Sequence, residues 1–382
     1  MKSIYLDNAA TTPILPEVVE TICASMQANY GNPSSTHHIG RLAKSAVESA
    51  RKSIAKHFNI GAGEIIFTAG GTEADNLILY NAVLNLGVKT IISTKIEHHA
   101  VLHTITHLQK TYGINVLYLD LDTNGNPNSS QLEKLLATQQ EERNTCLVSL
   151  MYINNEIGNI LAIDQITTLC HKYDAYLHSD TVQAIGHYPI DLKKTPIDFI
   201  AASAHKFHGP KGVGFAYFKR GVGIIPMLHG GDQEKGVRSS TENVHSILGM
   251  EKALEIAIKH IDTDAQAIES IKKYCIASLL KAFPTLQFNG SSADLTQSSY
   301  TILNVQFPVV DSMLLFQLDL AGIAVSGGSA CQSGSNLGSH VLTEILSSEE
   351  VNNTSIRFSF SKLTTKQEID YLVATLQRLI NK

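Results

Sequence analysis

No stretch of this sequence approaches the roughly 20 consecutive apolar residues that a membrane-crossing helix requires. The opening MKSIYLDNAATTP holds no apolar core of signal-peptide length. Basic residues form no stripe, and neither sign of charge gathers into a tail. The 30 Lys and Arg are interspersed with 35 Asp and Glu, for a net charge of −5. That distribution argues against a nucleic-acid partner and against a membrane partner. No two cysteines stand in C-x-x-C spacing. Cys23, Cys146, Cys170, Cys275 and Cys331 are odd in number and scattered, which points to reduced thiols and a cytoplasmic location. Internal repeats are missing. So are the G-x-G-x-x-G and G-x-x-x-x-G-K-[ST] motifs, so a dinucleotide or nucleoside triphosphate site has no support.

What is there is the make-up of an ordinary globular enzyme: 382 residues, 43% of them hydrophobic, enough for a large domain and a smaller one. From residue 64 the pattern alternates. Apolar strands are expected at 64–68, 90–93, 115–119, 146–152 and 175–179, with helices at 72–82, 98–111, 129–137 and 163–172. Such alternation predicts an α/β fold: a mainly parallel sheet, of the seven-stranded type, flanked by helices. Two long helical segments, 243–261 and 265–282, then lead into a smaller α+β domain. It holds strands at 300–305 and 355–360 and helices at 311–320 and 365–380. The expected division is 15–260 for the large domain and 1–14 with 261–382 for the small one.

The chemistry centres on IDFIAASAHKFHGPKGVGF at 197–215. An apolar strand there delivers Ser203, His205 and Lys206 just past its end, where open α/β sheets place ligands. Partial burial lowers a lysine's pKa, which suits it to act as a base or to form a Schiff base with a carbonyl cofactor. A lone lysine in a hairpin turn is more often merely exposed, so its company decides. TAGGT at 68–72 ends a strand and opens a helix. Gly71 and Thr72 thus present backbone N–H groups at a positive dipole end, a phosphate cradle if other residues imply a phosphate. HSDTVQ at 178–183 puts Asp180 at a strand end, where a buried carboxylate needs a cation or else serves as a helix cap. A protonated pyridine nitrogen is one such cation.

EHHAVLHTITH at 97–107 spaces His99, His103 and His107 by four. One helix face could share a metal, but no further ligand has matching spacing. Another use is a single imidazole at the helix start stacked on an aromatic ring; the plainer one is a single functional histidine among others that are partly buried or exposed. MYINNEIG at 151–158 delivers Asn155 at a strand end, where it either hydrogen-bonds a phenolic oxygen or simply opens a polar loop. SIRFSF at 355–360 places Arg357 within a strand, either on an exposed face or as a bidentate carboxylate ligand. The segment SGGSACQSGSNLGS at 326–339 is too rich in Gly and Ser to pack as core. Its Cys331 is expected to be exposed, mobile and reactive as a thiolate.

Taken in order, YLDNAATTP, GNPSS, AGGTEADN, EHHAV, NNEIG, SDTVQ, SAHKFHGPKG, RSSTENV and GSAC cover nearly the whole chain. The set resembles the cysteine desulfurases, among the fold-type I pyridoxal-phosphate enzymes of the class V aminotransferase group. The resemblance implies pyridoxal 5′-phosphate carried by Lys206, with Asp180 on the pyridinium nitrogen and His99 stacked on the ring. Gln183 and Asn155 would approach the phenolic oxygen, and Thr72, Ser203 and His205, with the Gly71 turn, the phosphate. Thr241 would reach the phosphate of a partner subunit in a homodimer. Arg357 and Asn155 would hold the carboxylate of L-cysteine. Cys331 would be the nucleophile that takes the sulfur as a persulfide and hands it to an acceptor protein, such as an iron–sulfur scaffold. No metal is implied. Other class V enzymes, including selenocysteine lyases, share the pattern. A histidine-based metal hydrolase and an inactive sulfur-acceptor scaffold are the remaining alternatives. Two positions depart from the family's pattern: Ser240 and Asp232 stand where glycine is usual.

Overall fold

Short β-branched and apolar runs build the central sheet. The computed structural model describes residues 3–327 and 338–380; Cys331, and with it the expectation of an exposed and mobile thiol, lies outside the described residues. The chain opens with β1 (Ile4–Tyr5), then α1 (Pro16–Ala28) and α2 (His38–His57). The alternation expected from the sequence follows: β2 (Ile65–Thr68), α3 (Gly71–Leu84), β3 (Thr90–Ser93), α4 (His99–Tyr112) and β4 (Asn115–Tyr118). It continues as α5 (Ser129–Glu141), β5 (Cys146–Ser149), α6 (Ile163–Lys172) and β6 (Tyr176–Asp180). Last come β7 (Phe199–Ser203) and β8 (Gly214–Phe218).

These strands form one seven-stranded sheet in the order β2-β8-β7-β6-β5-β3-β4. Pairings from β7 through β6, β5 and β3 to β4 are parallel; β8 alone runs against both its neighbours. Every residue of β2, β3, β5, β7 and β8 is buried. Helices on both faces exclude water from both sides, which is why these strands read as continuous apolar runs rather than alternating ones.

After β8 come α7 (Val244–Lys259), packed on α1 and α2, and α8 (Ile261–Ala282). The remaining elements are β9 (Gln287–Phe288), β10 (Ile302–Gln306), α9 (Leu314–Leu320), β11 (Ile323–Ala324), α10 (His340–Ile345), β12 (Ser355–Ser359) and α11 (Lys366–Ile380). α9 starts three residues later than the sequence pattern suggests, because the Asp311 carboxylate accepts the Met313 N–H in a local turn. β9, β10 and β12 make a three-stranded antiparallel sheet, and β1 pairs in parallel with β11. A separate apolar core joins Ile4 and Leu6 to Cys275, Leu303, Val305, Phe358 and Leu372. The first residues of the chain are thereby held against its last third. None of the helices among the described residues is long and apolar enough to cross a membrane.

Candidate active site

Five parallel strands end on the same edge of the large sheet, and the loops leaving β2, β5, β6 and β7 converge there on a cavity of about 220 Å³. Its wall is completed by Ala9 and Ala10 from the N-terminal segment and by Arg357 from β12.

One side of the cavity is acidic and buried. Asp180, the last residue of β6, accepts the Val182 N–H at 2.9 Å. No helix follows it, so the capping alternative has no helix to cap. Burial raises its pKa, opposed by His98, by the Val182 N–H and by Lys206. Asp75, on the second turn of α3, is fully buried, and its donor oxygen, one of Asp180 and a ring nitrogen of His98 lie within 4.8 Å of one another. Burial, then Asp180 and then Glu97 push Asp75 well above the usual carboxylate range. Behind it His178 sits with Nε2 3.3 Å from Asp75 and Nδ1 2.9 Å from the Ser149 hydroxyl. Burial lowers His178 to about 3, so it braces Asp75 as a neutral ring. Burial also pushes Glu97 up to about 8. This wall is short of positive charge.

At the opposite end the Gly70–Gly71 turn opens α3. Gly70 has φ 155° and ψ −174°, a region that only glycine occupies without strain. A Cβ on Gly71 would come within 2.7 Å of Val182, and one on Gly214 would come within 2.9 Å of the Gly70 backbone. The turn is thus pressed against β8 and the β6 loop, and Gly71 and Thr72, the first residues of α3, line the cavity with Ser203 and His205. Burial, then Lys206 and Lys211, lower His205 to about 4, which leaves it neutral.

Lys206 closes a single 3-10 turn, Ala204–Lys206, directly after β7. Its ammonium donates to the Ala9 carbonyl at 2.6 Å and the Ala10 carbonyl at 2.9 Å. Gln183 Nε2 also donates to Ala9, at 2.9 Å. Lys211 is not among the cavity residues.

The histidine expected to stack on a ring is corrected by the geometry. His98, not His99, lines the cavity. His98 is the N-cap of α4, with extended backbone (φ −61°, ψ 147°), and its Nδ1 accepts the Ala100 N–H. It therefore still points along the strand-end direction. His99 is the first helical residue and is turned about 100° around the helix axis. Its ring lies 4.8 Å from that of His103 and 4.4 Å from that of His340. The second ring contact comes from residue 340, which no local spacing could supply.

Arg357 is 1% exposed, which rules out the exposed-face alternative. It donates from Nη1 to the Asn155 carbonyl at 2.8 Å and from Nη2 to Asp7 at 2.7 Å. Its Nε and the Asn155 side-chain oxygen are buried without a hydrogen-bond partner among the described residues. Asp7 gave no signal in the sequence beyond its place in YLDNAATTP. Asp75 sits inside AGGTEADN, three residues past Thr72, which is one helical turn. Thr241 lies elsewhere, in a separate cleft of about 200 Å³ with Arg238 and Ser240. Of the two departures from glycine, Asp232 has ordinary backbone (φ −84°), whereas Ser240 is held at φ 101°.

Residues 4–372 match the family model described as Aminotransferase class-V. The chain is 40% identical over its whole length, and over 95% of the relative's, to a protein of Dictyoglomus turgidum named "Cysteine desulfurase IscS". It is 42% identical over 97% of its length, and 96% of the relative's, to one of Bacillus subtilis named "Putative cysteine desulfurase IscS 1". A solved structure titled "NIFS-LIKE PROTEIN" superposes with a TM-score of 0.90 at 35% identity, covering 100% of both chains. With that coverage and the strand-end cavity in place, the chain belongs to the cysteine desulfurases of the class V aminotransferase family.

Proposed function

We propose that the chain converts L-cysteine to L-alanine with pyridoxal 5′-phosphate held in the strand-end cavity, and that the sulfur leaves as a persulfide on Cys331. The observation that carries this reading is the convergence on one cavity of Gly71, His98, Asp180, Lys206 and Arg357, drawn from five separate parts of the chain. The donor set fits the cofactor. A buried acid pair whose pKa values burial raises suits a pyridinium, and a glycine turn that opens a helix beside Thr72, Ser203 and His205 suits a phosphate. When bound, the cofactor supplies a protonated pyridine ring that takes up the electron pair left at the substrate Cα.

The chain's own residues do the rest. Asp180 holds the proton on the ring nitrogen, and its burial strengthens that charge pairing. Asp75 and His178 keep the Asp180 side supplied with fixed neighbours. His98 covers the ring. Gln183 and Asn155 approach the phenolic oxygen. Gly71, Thr72, Ser203 and His205 take the phosphate, and Thr241, from its separate cleft, takes that of the partner subunit in a homodimer. Lys206 carries the cofactor and moves the proton at Cα. Arg357, with its open Nε, orients the substrate carboxylate, and the Asn155 side-chain amide N–H donates to it. The net reaction balances: L-cysteine and the Cys331 thiol give L-alanine and a Cys331 persulfide. An acceptor protein in the cytoplasm then takes the outer sulfur, for iron–sulfur assembly.

Purified holoenzyme incubated with L-cysteine, analysed for alanine and mapped for added sulfur by mass spectrometry, tests the reading. Equimolar alanine and a persulfide on Cys331 are expected, and Cys331→Ser should form no persulfide at that position. Sulfur on Cys23, Cys146, Cys170 or Cys275, or turnover that requires a 2-oxo acid, would overturn it.

A further inference from the structure

We propose that His187 is a positioning residue for Lys206, bonding the lysine's backbone to the same turn that carries Asp180 and Gln183. The proposal rests on the reading that Lys206 carries the cofactor. His187 Nε2 lies 3.1 Å from the Lys206 carbonyl oxygen. A carbonyl can only accept, so the ring donates, and its proton sits on Nε2. Burial lowers His187 to about 4; the bond to Lys206 and the Asp264 carboxylate oppose that fall, while His208 and Lys362 add to it. The ring is therefore neutral near physiological pH, and the single proton it carries goes to this carbonyl.

Three further contacts hold His187 in place. Its N–H donates to the Ala184 carbonyl at 3.0 Å. Its carbonyl accepts the Tyr300 hydroxyl at 2.5 Å, from the segment just before β10, and the two rings meet edge-on at 6.2 Å. Gly186 (φ 82°) brings the backbone against the residue after the lysine: a Cβ there would come within 2.5 Å of the Phe207 Cβ. The turn that begins at Asp180 thus reaches Lys206 at two points. Gln183 Nε2 and the Lys206 ammonium share the Ala9 carbonyl, at 2.9 and 2.6 Å, and His187 takes the Lys206 carbonyl. Thr12 fixes the flanks only. Its hydroxyl donates to the His205 carbonyl at 2.9 Å and accepts the His208 N–H at 2.7 Å. The carbonyl that His187 holds sets ψ of Lys206, and with it the direction in which the side chain leaves the backbone. A lysine has a long, flexible stem, so that direction decides how much of its range lies over the cavity. His187 therefore fixes the lysine relative to Asp180, the two residues that would grip the cofactor from either side.

Misplacing a reacting amine slows its reaction without weakening the binding of what it reacts with, and that separates positioning from binding. The test compares the wild type with His187→Phe, His187→Asn and His187→Gln. Phenylalanine keeps a ring of similar size and gives no donor. Asparagine keeps an amide whose N–H falls short of the carbonyl. Glutamine carries an N–H at the reach of Nε2 and should restore the bond. Pyridoxal 5′-phosphate is added to the full-length apo-protein, and covalent attachment at Lys206 is followed by borohydride reduction and mass spectrometry. Attachment should slow about 10-fold in His187→Phe and His187→Asn, and kcat of the loaded enzymes should fall by a similar factor, while the dissociation constant for L-cysteine stays within about 3-fold of wild type. His187→Gln should attach cofactor and turn over within about 3-fold of wild type. Wild-type rates in both Phe and Asn variants, an equal loss in His187→Gln, or a loss confined to cysteine affinity would overturn the proposal. So would a loss that merely tracks the unfolded fraction seen by circular dichroism. Should His187→Phe fail to fold, the Asn and Gln variants carry the comparison. A wild type that attaches no cofactor at Lys206 would instead remove the reading of the function, and this proposal with it.

Discussion

The two walls of the cavity are built on opposite plans. The large-sheet wall takes Asp180, Lys206 and the Gly70–Gly71 turn from the ends of parallel strands, where the backbone runs out of partners. Its acids are buried, and burial is the largest influence on Asp75, Asp180 and Glu97 alike. The small-sheet wall takes Arg357 from the middle of β12, in an antiparallel ladder opposite Asn304. Its charge is already partly met by Asp7 and the Asn155 carbonyl. The first wall gathers buried acids, whose pKa values burial raises, around one lysine. The second is close to balanced and suits a ligand that arrives and leaves.

The comparison can be broken from its strongest side first. Lys206→Ala should abolish turnover and covalent cofactor attachment, which borohydride reduction followed by mass spectrometry reads; Lys211→Ala should change neither. An attachment kept in the first variant and lost in the second would reverse the assignment.

Asp180→Ala should lower alanine production by about 10²-fold or more, because a fixed charge aimed at the developing charge is lost. The fold should remain, and circular dichroism checks that. Near-normal turnover would mean that the acid wall serves the structure only.

The two adjacent histidines sharpen the contrast further. His98→Ala should reduce turnover and shift the cofactor absorbance, while His99→Ala should leave that absorbance unchanged. The opposite outcome would show that the α4 N-cap does not direct its ring to the cofactor.

On the second wall, Arg357→Ala should raise KM for L-cysteine about 10- to 100-fold, equivalent to the roughly 1.5–3 kcal/mol of a charged hydrogen bond. The resting absorbance should not change. Loss of cofactor instead would place Arg357 in the first wall's role. The smallest effect lies outside both walls. Ser240→Gly should stabilise the protein by about 1 kcal/mol by relieving the positive φ, seen as a small rise in Tm.

Much of the first wall was legible because it is local. A strand that ends in Asp180, a turn of two glycines before a helix, and a lysine directly after β7 are each contained in a few consecutive residues. The order of strands and helices was legible for the same reason: burial on both faces writes itself into runs such as IIFT, TIIS and FIAAS. His98 against His99 was not, since EHHAV offers two imidazoles one position apart. Their directions diverge only once the first residue of α4 is known.

The sequence by itself determined the α/β alternation, the glycine cradle and the strand-end positions of Asp180 and Lys206, because backbone conformation and burial there follow from neighbouring residues. Tertiary structure alone decided that Arg357 faces inward onto Asp7, 350 positions away. It also decided that the Ala9 and Ala10 carbonyls receive Lys206 and that Glu156 meets Ser339. These contacts join β1 to the last third of the chain and the large sheet to the small one. They exist only because burying Ile4 and Leu6 against Leu303 and Phe358 brings distant polar groups together, and no short-range pattern records which partner each will find.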